Sequence, residues 1–291
     1  TRPMWSISAP TESGMKMRGP YEWVPPLYWY TDTKLGGPHG FATEIGPGPA
    51  PPPLESLKRF IPEDQLWPIG EAWNYHCGGG PFKTLGVFNA AMDARYGPSK
   101  GVAEYARKAQ AAAYESHRAM LESFGERKYT ATGVIQWMQN NAWPGMIWHL
   151  YDFYLRPGGS YFGAKKAGEP LHVQYAYDDR SVVVVNGRLK EERGLKATAR
   201  VLDLASKELF ARTAPVDVGP DGSVLAEDRN TVLTDADITA HPELKLARWA
   251  ARELDPSIVA ATTMYTSCQP CAMCTGAIER SGLGRVVFAL S

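Results

Sequence analysis

The feature that most constrains the fold is a pair of short motifs near one end. His241-Pro242-Glu243 is followed thirty residues later by Pro270-Cys271-Ala272-Met273-Cys274. The spacing predicts a helix over 242–253, with Pro242 tolerated at its first position because that N–H has no intrahelical partner. It predicts a second helix over 271–280, in which Cys271 and Cys274, three apart, share one face. A helix start also favours thiolate over thiol. A strand over 263–267 separates the two helices, so two helix starts can converge on one point across it. One histidine and two cysteines, with a fourth position left open, suit a tetrahedral zinc. Zn2+ is therefore the expected cofactor and His241, Cys271 and Cys274 its expected ligands. Zinc lowers the pKa of bound water enough to supply hydroxide near neutral pH. Glu243, placed beside the ligands, is the candidate proton carrier. Cys268 could be a fourth ligand, but its place at the strand end before Pro270 suggests a supporting or packing role, and the isolated Cys77 reads as a small buried hydrophobe.

The rest of the chain changes character twice before reaching these motifs. Residues 1–168 hold eight of the nine Trp, with Gly and Pro between them. That density fits either a sugar site or a large aromatic core. Short strands are expected at 5–8, 27–30, 40–44 and 134–138. A long helix is expected over 104–124, where Tyr105, Ala109, Ala112, Ala113, Met120, Leu121 and Phe124 recur at helical spacing. The prolines of 47–53 forbid ladder pairing and mark a loop. Residues 169–218 alternate as strands at 171–177, 181–186, 195–204 and 208–213, the pattern of a small, immunoglobulin-like β-sandwich. From 219 to 291 strands and helices alternate, with strands expected at 222–227, 263–267 and 285–290, which argues an α/β layer. The expected architecture is mixed α/β with domains over 1–168, 169–218 and 219–291.

A second candidate centre lies in Gly40-Phe41-Ala42-Thr43-Glu44-Ile45-Gly46-Pro47-Gly48-Pro49. A glutamate ending a strand before Gly and Pro projects its carboxylate from a barrel rim. Retaining glycosidases use such a carboxylate as nucleophile, with a second carboxyl about 5 Å away as acid/base. Alone, the pattern equally fits a solvated loop glutamate.

The bulk numbers narrow the partners. Thirty-one acidic residues balance thirty-one basic ones, giving no net charge. No electrostatic footprint points to nucleic acid or an anionic membrane. No run of about 18 apolar residues predicts a membrane span. The sequence starts Thr1-Arg2-Pro3 without a signal-peptide pattern and reads like the interior of a longer protein.

Two resemblances sharpen this reading. Residues 219–291 resemble the cytidine and deoxycytidylate deaminase superfamily, marked by H-x-E followed by P-C-x-x-C, and within it the branch of nucleoside and guanine deaminases. That resemblance implies zinc ligation by His241, Cys271 and Cys274, proton transfer by Glu243 and a base contact from Asn230 in Asp228-Arg229-Asn230. Asn230 can also be read as a simple turn residue. Relatives carry a helix and strand before the Asn230 region and closing helices after the last strand, so an incomplete α/β/α segment is expected. Residues 1–218 resemble glycoside hydrolase family 2, most of all its exo-β-D-glucosaminidases. The resemblance rests on Met15-Lys16-Met17-Arg18-Gly19-Pro20-Tyr21, Tyr28-Trp29-Tyr30, the run from Gly133 to Trp143, and Trp148-His149-Leu150-Tyr151-Asp152-Phe153-Tyr154.

This second resemblance implies part of a TIM barrel with Glu44 as nucleophile at the end of its seventh strand. Gln136, Trp137, Asn140, Asn141 and Trp143 would then line a sugar pocket or form a structural rim. The family's acid/base lies well upstream of its nucleophile, and only 43 residues precede Glu44. The expected substrates are small molecules: a nucleobase or nucleoside, and an amino sugar. Self-association would cover exposed strand edges. The deaminase-like part implies a cytoplasmic protein and the glucosaminidase-like part a secreted one. Two other readings stand beside the composite hydrolase: a glycosidase with a silent deaminase tail, and a chimeric product without catalysis.

Overall fold

The computed structural model describes residues 15–16, 18–78, 84–128, 130–221 and 225–290. The described residues divide into two compact units, 15–221 and 225–290.

In the first unit three short strands make a parallel sheet. They are β1 (Met15–Lys16), β2 (Gly40–Ile45) and β3 (Ala131–Gln136), with β2 central. Helices fill the connections: α1 (Tyr28–Thr31), α2 (Leu54–Phe60), α3 (Glu71–Tyr75), α4 (Gly86–Tyr96) and α5 (Val102–Glu126). A parallel pair needs such a crossover, because a tight turn cannot return the chain to the same end. α5 matches the helical period expected for it. Seven alanines and no proline favour helix along its length. Its buried face carries Tyr105, Ala109, Ala113, Met120 and Phe124.

After β3 comes α6 (Gly159–Ala167). Gly159 and Gly163, four apart, set its backbone directly against α5. A β-carbon on Gly163 would lie 2.2 Å from the Tyr114 carbonyl oxygen, and one on Gly159 1.9 Å from that of Gln110. No side chain fits at that separation.

Two antiparallel ladders complete the unit: β4 (Leu171–Tyr175) with β5 (Val182–Asn186), and β6 (Glu192–Leu202) with β7 (Glu208–Val218). β4 is anchored to α5 by polar groups. The Glu122 carboxylate meets His172 Nε2 at 2.5 Å and Arg118 Nε at 2.6 Å, while Gln174 Nε2 donates to the Glu122 carbonyl. Two apolar clusters fill the unit. Trp73, Phe88, Tyr105 and Met146 centre one; Trp29, Ile45, Met120 and Phe124 centre the other. Cys77 is buried in the first, its thiol donating to the Trp73 carbonyl at 3.3 Å.

Three expected strands need comment. Residues 27–30 do not extend: α1 begins there, with Tyr28 N–H bonded to the Pro25 carbonyl. Pro25 and Pro26 preset the φ of a first helical turn, which outweighs the aromatic strand propensity. The strand expected at 134–138 starts three residues earlier and ends two earlier, at 131–136. That at 5–8 lies outside the described residues.

The second unit runs through α7 (Val232–Asp235), α8 (Pro242–Glu253), α9 (Pro256–Ala261), β8 (Thr263–Cys268), α10 (Ala272–Ser281) and β9 (Arg285–Leu290). β8 and β9 pair in parallel, joined by α10. α10 ends at Gly282, whose φ of 82° is the left-handed cap that glycine adopts without strain. Ala247, Val259, Met264, Ile278, Leu283 and Val286 form its core. Residues 225–227 are not a strand, and 222–224 lie outside the described residues.

Candidate metal centre and candidate carboxylate site

His241 caps the N-terminus of α8, and Cys271 caps that of α10. Cys274 lies one turn into α10, fully buried. These helix starts bring three ligand atoms together. Cys271 Sγ and Cys274 Sγ are 3.5 Å apart; His241 Nδ1 lies 3.7 Å from the first and 3.5 Å from the second. A tetrahedral zinc, with bonds of about 2.3 Å to sulfur and about 2.0 Å to nitrogen, sets its ligand atoms roughly 3.5–3.8 Å apart. The triangle therefore has the dimensions of one tetrahedral face. Among the described residues this is the one group of three metal-ligating side chains within such reach.

The two thiols sit in unlike surroundings. The backbone N–H of Cys274 holds the Cys271 thiol below its ordinary range. Burial pushes the Cys274 thiol up to about 12. Cys271, Cys274 and His241 would hold a metal as thiolates and a neutral imidazole, which would couple occupancy to the fold of both helices.

Glu243 is buried on the first turn of α8. Its Oε1 accepts a 2.5 Å hydrogen bond from the Thr266 hydroxyl on β8, and its Oε2 lies 3.9 Å from Cys274 Sγ. It stands beside the ligand triangle without belonging to it. Asn230 is exposed, and its Oδ1 accepts from the Val232 N–H in a local turn. Lys245 ties that loop to α8 through Asp228 Oδ1 at 2.7 Å, the Arg229 carbonyl and Thr231 Oγ1. Cys268 is exposed at the end of β8, outside the triangle.

In the other unit Glu44 lies on β2, half-buried, and accepts a 2.7 Å hydrogen bond from the Tyr21 hydroxyl. β3 ends alongside it: Gln136 pairs with Ile45, and the Trp137 N–H donates to the Ile45 carbonyl at 2.9 Å. Gln136 Nε2 donates to the Trp137 and Trp148 carbonyls. Trp137 and Trp143 remain 39% and 40% exposed. The Trp143 ring stacks on His76 at 5.1 Å. Asn140 is exposed and bridges to Tyr151. Asn141 is buried, with Nδ2 bonded to the Ile147 carbonyl and to His149 Nδ1. The chain thus brings Glu44, Gln136 and Trp137 to neighbouring strand ends, while Asn141 faces the scaffold.

Sequence reasoning did not single out Tyr21 or Thr266. Tyr21 is 23 residues from its partner; it closes one of the motifs behind the glycosidase resemblance, but nothing there marks it as the partner of Glu44. Thr266 carried one: on a strand it shares a face with buried Met264.

The residues matching the description "Cytidine and deoxycytidylate deaminase zinc-binding region" run from 192 to 290. Curated exo-β-D-glucosaminidases match the N-terminal ~220 residues, a stretch that overlaps the start of that region. One part of the chain is thus similar to exo-β-D-glucosaminidases and another to the deaminase zinc-binding region. The exo-β-D-glucosaminidase of Streptomyces avermitilis is 46% identical over 220 residues, 72% of this chain and 24% of that protein. The chain therefore spans about a quarter of such relatives. The guanine deaminase of Bacillus subtilis is 45% identical over 58 residues, 20% of this chain and 37% of that enzyme. The exo-chitosanase structure from Amycolatopsis orientalis superposes with a TM-score of 0.66 at 39% identity, covering 71% of this chain and 26% of that one. These likenesses confirm the mixed α/β character with small sheets, and the zinc-binding region agrees with the His241, Cys271 and Cys274 triangle. No described helix is long and apolar enough to cross a membrane.

Proposed function

We propose that the C-terminal unit catalyses zinc-dependent hydrolytic deamination of a nucleobase or nucleoside. The carrying observation is the triangle of His241 Nδ1, Cys271 Sγ and Cys274 Sγ with Glu243 beside it. Bound there, zinc supplies the Lewis acidity that activates water near neutral pH. Glu243 then moves protons: its Oε1 is held by Thr266, leaving Oε2 beside the cluster, 3.9 Å from Cys274 Sγ. Burial of Glu243 keeps competing solvent from it. Asn230 contacts the base, on a loop that Lys245 fixes to the helix bearing His241 and Glu243. The small-molecule substrate fits a chain with no net charge.

The test is ammonia release from cytosine, guanine and their nucleosides, with Glu243→Gln beside the natural chain. Zinc is expected to remain at about one per chain in both. Turnover is expected to fall by about 10²–10⁴-fold in the variant, the range for a general acid/base. A zinc-loaded natural chain that releases no ammonia from any of these sinks the reading.

A second reading concerns the N-terminal unit, which we divide into a partial TIM barrel over 1–168, holding β1–β3, and an immunoglobulin-like β-sandwich over 169–218, before the deaminase segment at 219–291. Glu44, set by Tyr21 at the strand ends with Gln136, Trp137, Asn140, Asn141 and Trp143 on the following segment, is proposed as a glycosidic nucleophile toward an amino sugar. A glucosaminide with an aryl leaving group that needs no protonation should leave a sugar on Glu44. Mass spectrometry showing no adduct at that residue would remove the idea.

A further inference from the structure

We infer that Thr266 is a positioning residue that keeps Glu243 from becoming a fourth ligand of the metal. The inference rests on the reading of His241, Cys271 and Cys274 as zinc ligands and Glu243 as the proton carrier. A carboxylate is itself a good zinc ligand, and a tetrahedral site with four protein ligands is closed to water and substrate. Glu243 lies within reach of closing this one: its Oε2 is 3.9 Å from Cys274 Sγ, itself a corner of the triangle. Its other carboxylate oxygen is held by a side chain from a different element. Thr266, on β8, donates its hydroxyl to Glu243 Oε1 at 2.5 Å.

The local structure explains why this tether is firm. β8 is paired to β9 over its whole length, from Thr263 to Cys268. Thr266 shares the inward face with Met264, which is buried in the core against which α8 and α10 pack. Thr266 is β-branched and has few χ1 choices, so the hydroxyl has little freedom to follow a departing carboxylate. The ligands come from two helix starts and the tether from the strand between them. The same packing that closes the triangle thereby holds the carboxylate beside it.

The decisive variant is Thr266→Val, which keeps the β-branched shape and removes the hydroxyl, compared with Thr266→Ser, which keeps the hydroxyl. The natural chain and both variants are loaded with Zn2+ or Co2+ alone. If the hydroxyl holds Glu243 back, its loss lets the carboxylate join the metal, so Thr266→Val binds metal more tightly, by about 10-fold, the scale of a change just outside the ligand set. Its Co2+ absorption spectrum moves away from that of the natural chain, and kcat for deamination falls with KM little changed. Thr266→Ser matches the natural chain in all three. Adding Glu243→Ala to Thr266→Val abolishes the gain in affinity and the spectral change.

Damage to the fold would loosen metal binding, the opposite direction. Equal or weaker metal binding in Thr266→Val, with Thr266→Ser normal, overturns the inference and leaves the zinc reading intact. A natural chain that binds neither metal overturns the zinc reading itself. A chain that binds metal but deaminates nothing leaves affinity and spectrum to decide on Thr266.

Discussion

The two units place their candidate carboxylates differently. In the C-terminal unit every group of the candidate centre comes from 34 consecutive residues, 241–274, on two helix starts and one strand. Glu243 is buried and tethered from a neighbouring element. In the N-terminal unit Glu44 is half-buried at a strand end, and the side chains around it come from Tyr21, Gln136 and Trp137, far apart in sequence. That unit places its buried polar groups elsewhere: Glu122 with His172 and Arg118, and Asn141 with His149. The difference teaches that a metal centre can be compact in sequence because ligand spacing on a helix suffices. The surroundings of Glu44 instead need a scaffold that brings together residues distant in sequence.

The comparison breaks most visibly through the metal. Replacing Cys271 and Cys274 together by Ala should take zinc from about one per chain to none by elemental analysis. That loss exceeds the ~10–100-fold effect of changes just outside a ligand set. Tryptophan emission, dominated by the eight Trp before residue 168, should be unchanged. A concurrent loss of that emission would show that the N-terminal unit depends on the metal.

Acid should act on the other side of the comparison. Burial holds His117 and His149 at pKa values of about 4, below the ordinary 6.5. Their neutral forms are kept in the native state, while the unfolded chain takes up protons as the pH falls below about 6.5. Stability from these two groups is full above about pH 6.5 and is lost as the pH falls toward 4. The slope is at most about 1.4 kcal/mol per pH unit for each histidine. Urea melts followed by Trp emission at pH 7, 6, 5 and 4 measure it. A flat profile in this range would mean that the two imidazoles are reached by solvent.

The smallest expected effect is steric. Gly163→Ala places a methyl 2.2 Å from the Tyr114 carbonyl oxygen, so α6 must move off α5. A loss of about 1–3 kcal/mol in the N-terminal unit is expected, as for other overpacking changes. Zinc content should not change. Thermal unfolding and elemental analysis of the same sample test both halves of that statement.

Much of the C-terminal unit was legible in sequence because its signals are local. Pro242 at a helix start, Cys271 and Cys274 one turn apart, and the alternation in 263–267 each report on neighbours within a few residues. α8 occupies the expected 242–253. The failures came where local signals compete. Tyr28-Trp29-Tyr30 has strand-forming residues, yet two preceding prolines start a helical turn. Of the strand expected over 222–227, the described part, 225–227, is not a strand. Around Glu44, the motif marked a strand end, but no local pattern could show that Tyr21 supplies its hydrogen bond or that Asn141 turns inward to His149.

By itself the sequence determined which groups could ligate zinc, which helices would carry them, and that two different homologies meet in one chain. Ligand chemistry and helical period act over three or four residues, and a sequence displays that range directly. Only the tertiary structure decided that the three ligand atoms stand 3.5–3.7 Å apart, that Thr266 reaches Glu243 from another element, and that α6 lies on α5 through two glycines. Those distances follow from how buried surfaces pack, and packing joins residues that the chain keeps far apart.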